Sequence, residues 1–279
     1  MFLRVVRESF TRAARRKAMA ILAVALGTAV ATAMFAVSLD VGDKLSRELR
    51  GFGANIEVTP AADSLAVEVG GVDYRPVAEG RLLAEATLPK LKTIFWRNAI
   101  AGFAPFLHVP AVMNGRGVVA VGTWFDFEFE SGGERFRTGL RATNPAWKVA
   151  GAWPQDRAVS QMEQALAGRR LGLAPGSVIT LNRDHSFRIT GVLETGGAEE
   201  DQLFVTLAAA QRMAGVPGQF RKLQVSAMIK PDDALARRDP ATMSREDYDR
   251  WYCTPYVGSI SRQVQEVLPG SVARQVRQL

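Results

Sequence analysis

Ala18 to Leu39 is a run of twenty-two residues without a charged side chain (AMAILAVALGTAVATAMFAVSL), and it constrains the chain more than any other stretch. As a helix rising ~1.5 Å per residue it reaches about 33 Å, enough to cross a hydrocarbon core of roughly 30 Å. Arg4, Arg7, Arg12, Arg15, Arg16 and Lys17 precede it against Glu8 alone, and Asp40 follows it. Of the formal charge of +7, a net +5 therefore lies in residues 1–17 and +2 in the remaining 262. Positive charge massed beside an apolar span marks a cytoplasmic flank. A nucleic-acid binder needs its charge on the folded surface, so no nucleic-acid partner is expected.

Within residues 1–17, Phe2, Val6, Phe10 and Ala13 recur at helical spacing opposite Arg4, Arg7 and Arg15. This predicts a basic amphipathic helix lying in the headgroup layer, with Arg4, Arg7, Arg15, Arg16, Lys17 and Phe35 as the membrane-anchoring residues. The competing reading is a signal peptide, with Ala31-Thr32-Ala33 as its small-residue cleavage site. The apolar run continues through Met34, Phe35 and Val37, past the about 7–15 residues of such a segment, which favours a retained anchor. Its many alanines suit close packing against other membrane helices. Residues 40–53 read as a charged helical stalk continuing the span: Asp40 and Lys44, Asp43 and Arg47, and Lys44 and Glu48 are four apart, and Gly51 and Gly53 end it. A helix joined rigidly to a membrane helix can transmit movement, so these five charged residues are the candidate coupling positions.

From Ala54 the pattern changes to strands and short helices. Asn55–Thr59 and Leu65–Val69 alternate like strands, and Glu79–Trp96 reads as a helix with Thr87 as a cap ahead of Pro89. Asn98–Gly115 is uncharged but holds Pro105, His108, Pro110 and Asn114, which predicts buried strand rather than a second span. Asp126, Glu128 and Glu130 alternate with Phe125, Phe127 and Phe129, as on a strand with one wet face. Ala158–Leu171 reads as an amphipathic helix. Val178–Leu181 and Phe187–Leu193 read as a hairpin about Asn182–Ser186. Leu203–Val205, Leu223–Ile229 and Val272–Val276 read as strands, Ala208–Met213 and Val257–Val267 as helices, and Pro231–Asp249 as an exposed connection.

No enzyme is visible. The chain has no phosphate-cradling GxxxxGK[ST], no HExxH and no GxSxG. Asp184-His185-Ser186 are adjacent and cannot converge as a triad, which leaves His185 as an exposed turn residue. His108 reads as a hydrogen-bonded core residue. Cys253, the only cysteine, allows no intrachain disulfide and is expected to be packed and inert. No cofactor or metal site is predicted.

Three stretches together resemble the periplasmic core domain of MacB/FtsX-type ABC transporter permeases. Gly53-Ala54-Asn55-Ile56-Glu57-Val58-Thr59-Pro60 is similar to the strand that opens that domain. Ala165–Ile179 (ALAGRRLGLAPGSVI) looks like the family's helix, glycine turn and strand. Phe187–Leu193 (FRITGVL), with Asp201–Val205 and Ala210–Met213, is similar to the run that follows. The resemblance implies an α+β chain: one N-terminal transmembrane helix, then a two-lobed mixed α/β periplasmic domain with a strand-rich inserted lobe. The boundaries expected are 1–17, 18–39, 40–53 and 54–279, with a membrane-proximal lobe at 54–115 and 201–279 and an inserted lobe at 116–200. It further implies a bacterial inner-membrane location, a cytoplasmic ABC ATPase as partner, pairing as a homodimer or with a second permease, and a periplasmic partner protein. Pro89–Asn98 resembles permeases of iron-uptake clusters. Members carry three more membrane helices after this domain. The sequence stops at Leu279, so it reads either as a piece of such a permease or as a single-span tethered module.

Overall fold

Strand-forming segments from residue 54 onward build one large sheet, buried on both faces at its central strands and on one face toward its edges. The computed structural model describes residues 15, 18–34, 53–61, 68–69, 72–73, 82–157 and 162–276. The chain divides into two units, Met1–Leu49 and Arg50–Leu279. In the first, residues 18–34 are helical and exposed, and Thr28 and Thr32 return their hydroxyls to the carbonyls of Val24 and Thr28. Among the described residues no helix is long and apolar enough to cross a membrane. The last part of the expected span, 35–39, and the stalk up to residue 52 lie outside the described residues.

In the second unit, β1 (Ile56–Pro60) precedes a short hairpin of β2 (Glu68–Val69) and β3 (Val72–Asp73). Next come β4 (Leu83–Ala84), a 3-10 helix at Glu85–Lys92, β5 (Ile100–Met113) and β6 (Arg116–Thr123). A hairpin of β7 (Phe127–Ser131) and β8 (Glu134–Thr138), a helical turn at Leu140–Thr143 and β9 (Lys148–Gly151) follow. Then come β10 (Glu163–Gly168), β11 (Val178–Leu181), β12 (His185–Glu194) and β13 (Gln202–Thr206). The helix Leu207–Ala214, β14 (Gln219–Phe220), β15 (Lys222–Ala227), the helices Arg245–Tyr252 and Val257–Val267, and β16 (Ser271–Gln275) complete the unit.

Nine of these strands run β11-β12-β10-β13-β6-β5-β15-β1-β16 in one sheet, with β9 added beside β12. A further pairing of Leu181 with Met113 joins β11 back to β5, closing six strands into a ring. The closure is made by Asn182, in left-handed backbone (φ 51), whose N–H donates to the Val112 carbonyl at 3.0 Å while its Oδ1 accepts from the Val112 N–H at 2.8 Å. Leu107, Val109, Ala120, Ala165, Ala167, Ile189, Leu203 and Val205 belong to one core. The alternate positions Phe106, Val121, Leu166, Leu193 and Phe204 belong to a second core, under Trp147, Val149 and Trp153. Pro110 is tolerated because it lies between the β15 and β11 partners, where β5 has a strand on one side only.

Several expectations need correction. The described part of the helix expected at Ala158–Leu171 is not an α-helix: Glu163–Gly168 is a strand parallel to β12 and Arg169–Leu171 a 3-10 turn. Ala165, Leu166 and Ala167 are all fully buried because the two cores lie on opposite sides of β10, and a strand covered on both faces loses its alternation. Of the helix expected at Glu79–Trp96, the described residues from 82 onward are helical only over Glu85–Lys92, in 3-10 form with Pro89 inside it. Thr87 does not cap it and instead donates its hydroxyl to the Ala84 carbonyl at 2.6 Å. The connection at Pro231–Asp249 contains the start of a helix, which Ser244 caps by accepting from the Asp247 N–H at 3.2 Å.

Candidate functional site

The strand that opens the second unit is held between two others. Ile56 stands opposite Val225 of β15 on one side and Gln275 of β16 on the other. Just before it, the Asn55 side chain donates from Nδ2 to the Ala227 carbonyl at 2.7 Å and accepts at Oδ1 from the Ala227 N–H at 3.0 Å. Its main chain donates to the Val225 carbonyl at 3.1 Å and accepts from the Val276 N–H at 3.0 Å. Residue 55 therefore ties three strands at the point where the chain enters and leaves the sheet side by side. Gly53 makes the approach possible: its φ is +92, and a Cβ there would meet Asn144 Oδ1 at 3.0 Å. Glu57 and Lys222 add a 2.7 Å ion pair across β1 and β15, with Lys222 only 8% exposed. Asn55→Ala leaves both polar groups of Ala227 unmatched, and urea unfolding should show a loss of about 2 kcal/mol.

A second polar centre lies beside the β7–β8 hairpin. The Asp156 carboxylate accepts from the backbone N–H of Phe125 at 2.9 Å and of Asp126 at 2.7 Å, pinning the turn after β6. Burial pushes its pKa up from 3.8 to about 6, with the Asp126 carboxylate adding to the rise, although the two backbone donors oppose it. Asp126 itself pairs with Arg137 and, at 3.2 Å, with Arg141, whose guanidinium lies 5.9 Å from the Trp153 ring. These groups line a cavity of ≈ 500 Å³. A carboxyl whose folded pKa is raised holds its proton more tightly in the folded state. Its favourable contribution is present below about pH 4 and is lost as pH rises through about 6. Asp156→Asn, which keeps an acceptor and cannot ionise, should gain on the order of 2–3 kcal/mol over the parent at pH 8 and little at pH 4, read by denaturation at both pH values.

The sequence model of the MacB-like periplasmic core domain matches residues 18–242. The chain belongs to this family. Among solved structures it is similar to the periplasmic region of MacB from Actinobacillus actinomycetemcomitans, at 11% identity over 81% of this chain and 91% of that one, with a TM-score of 0.45. It is also similar to the extracellular domain of the noncanonic ABC-type transporter YknZ from Gram-positive bacteria, at 8% identity over 80% and 99%, with a TM-score of 0.40. No curated protein sequence matches it.

In this MacB-like domain the opening motif at Gly53–Pro60 forms the entry clamp and β1, and Phe187–Leu193 lies within β12. Of the residues expected to anchor or couple, Arg15 is helical and exposed. Arg4, Arg7, Arg16, Lys17, Phe35, Asp40, Asp43, Lys44, Arg47 and Glu48 lie outside the described residues. His108 is 7% exposed on β5, as a core residue should be, and His185 is half-buried at the start of β12. Cys253 departs from expectation: it is exposed, because it caps the helix Arg245–Tyr252 as that helix ends at the surface. Sequence reasoning assigned no role to the Asn55 clamp or to Asp156. The first follows a glycine before a strand, a usable signal. The second is set by contacts thirty residues apart, and no local pattern announces it.

Proposed function

We propose that this chain is part of a permease subunit of a MacB/FtsX-type ABC transporter, in which ATP-driven movement of a cytoplasmic ATPase is relayed to the periplasmic core domain. The observation that carries the reading is the adjacency of β1 and β16 at one end of the sheet. A segment attached before Asn55 and one attached after Val276 pull on neighbouring strands, so their relative movement loads the sheet directly. The apolar run supports the membrane half of the proposal. Met19, Leu22, Leu26 and Met34 are each more than 60% exposed, and a lipid or helix neighbour would remove that surface from water. The run then crosses the bacterial inner membrane at 18–39, with 1–17 cytoplasmic and Arg4, Arg7, Arg15, Arg16, Lys17 and Phe35 at its interfaces. Asp40, Asp43, Lys44, Arg47 and Glu48 form the stalk at 40–53 that joins it to the periplasmic domain at 54–279. The subunit works as a homodimer or beside a second permease, with a periplasmic partner protein. Iron uptake is the transport process to which Pro89–Asn98 ties it.

The test is co-purification from membranes with a cytoplasmic ABC ATPase, using the chain alone and the chain extended by three membrane helices. A detergent-stable complex that forms with the extended chain supports the permease reading, and one that also forms with the short chain places recruitment on the first helix. No complex with either overturns it in favour of a membrane-tethered binding or scaffold module.

A further inference from the structure

The sheet face that carries the second core changes character near the start of β15. Phe106, Val121, Leu166 and Phe204 cover that face with apolar side chains. Along β5, β13 and β15 the same face continues into His108, Gln202 and Lys222, each less than 10% exposed. These three line one cavity of ≈ 240 Å³. Core positions rarely go to such groups unless hydrogen bonds satisfy them. Lys222 is paired with Glu57 at 2.7 Å, and the His108 ring lies against Phe106 with centroids 6.4 Å apart. The two glutamines on the wall are different. Among the described residues neither the Gln202 nor the Gln224 amide has a hydrogen bond within the protein, and neither is sealed from water, so both open into the cavity they line. Gln202 is only 5% exposed, so the cavity is where its amide finds partners. The space is many times the about 15 Å³ that seats one water. Half-buried Trp147, Glu199 and Gln224 connect it with solvent.

An amide both donates and accepts, so two open glutamines select a ligand that does the same. Charge narrows the class. The Glu199 carboxylate, whose Oε2 accepts from the Thr195 hydroxyl at 3.2 Å, disfavours an anion. The Lys222 ammonium disfavours a cation, and Glu57 already balances it. An uncharged ligand remains. Phe106, Trp147 and Phe204 add aromatic surface to the lining, with Trp147 edge-on to Phe204 at 5.9 Å. Hydroxyl groups around a saturated ring match these walls. They donate to Glu199 and to the amide oxygens and accept from the amide N–H groups, while the C–H faces of the ring lie on the aromatic side chains. We propose that this cavity binds a monosaccharide-sized polyol, held by the amides of Gln202 and Gln224 and the carboxylate of Glu199. A free sugar and the terminal unit of a glycan present this same chemistry. The site goes beyond the transport reading and does not depend on it: no ATPase and no membrane helix takes part.

The probes are D-glucose, D-galactose, N-acetyl-D-glucosamine and myo-inositol. Each is titrated into the full chain in a detergent without a sugar headgroup, with the five tryptophans ¹⁵N-labelled at the indole and the Trp147 resonance assigned by Trp147→Phe. At least one probe should move the Trp147 indole resonance saturably, with a dissociation constant of about 10 mM or tighter. Cyclohexanol, a ring with one hydroxyl, should bind about tenfold more weakly or worse. Gln202→Leu keeps the volume, removes the amide and should weaken the probe by about five- to tenfold. Glu199→Gln, half-buried and still able to accept from Thr195, should weaken it by about threefold. A methyl glycoside that binds as well as its free sugar assigns the end of a glycan, and one that binds less well assigns the free sugar. A Trp147 resonance that stays still with all four probes overturns the proposal and leaves the cavity to water. Equal binding of cyclohexanol overturns it in favour of a plain apolar pocket, and an unchanged affinity in Gln202→Leu overturns the assignment of the amide. If Gln202→Leu does not fold, an unchanged affinity in Glu199→Gln overturns it as directly.

Discussion

Phe103→Ala is expected to lower the free energy of unfolding by about 3–5 kcal/mol, at the upper end for a core truncation. Phe103 is fully buried on β5, and its ring lies 6.1 Å from Trp124, 5.8 Å from Phe129 and 6.0 Å from Phe136. It touches both strands of the β7–β8 hairpin, which is outside the main sheet, and so helps to pack that hairpin onto the sheet. The size of the loss depends on whether the surroundings can collapse into the space left behind. Here they are held: Thr138 Oγ1 accepts from the Phe103 N–H and donates to its carbonyl, both at 2.6 Å, while the other edge pairs with Val225. With the backbone fixed on both sides the cavity stays open. Urea unfolding of the full chain should show a lower midpoint with an unchanged slope. Phe95→Ala, at a ring 62% exposed, should change stability by less than about 0.5 kcal/mol in the same experiment. A Phe103 loss below about 1 kcal/mol would mean that the hairpin does not pack as described.

What could be read from the sequence followed from how locally each element is specified. The β11–β12 hairpin was legible because a polar turn separates its strands, with Asn182 in the positive φ that its type tolerates, whereas the turn at Asn114-Gly115 between β5 and β6 carried a signal of the same kind that went unread. Gly215, left-handed after the helix Leu207–Ala214, marked that helix in the same way. The run at 163–168 was misread because its burial is decided by two cores made of distant residues. Ala-Leu-Ala then carries no period, and alanine's own preference points to a helix. β12 shows how far such long-range effects reach. Its register shifts opposite Ala165 and Leu166, so Ile189 joins one core and Leu193 the other although both are odd-numbered. The candidate sites divide the same way. Asn55 sits in a motif that can be recognised locally, whereas Asp156 reaches the N–H groups of Phe125 and Asp126 from thirty residues further along the chain.

Gly168→Ala separates packing from backbone strain in the segment where the sequence misled. Gly168 ends β10 at φ −63 and ψ 145, which any residue adopts, so alanine there carries no conformational penalty. Its Cβ would nevertheless stand 2.3 Å from the Glu200 carbonyl oxygen and 2.4 Å from that carbonyl carbon, both main-chain atoms. The Glu200 segment is not free to retreat. Its carboxylate accepts from the N–H of Gly196 at 2.7 Å and of Thr195 at 2.9 Å, which together hold its pKa below the usual carboxylate range. Arg170 ties the next residue, Asp201, at 2.8 Å. One methyl group must therefore displace a backbone anchored at several points, and the expected cost is about 3 kcal/mol or more. Gly172→Ala, four residues on, poses the opposite problem: φ is +68 and nothing lies within 4 Å, so only the left-handed conformation is penalised, by about 1 kcal/mol. Measured side by side by urea unfolding, the first substitution should cost at least twice the second. Equal costs would mean that the contact between β10 and the Glu200 turn yields, and that the segment is held by its glycine turn rather than by the sheet.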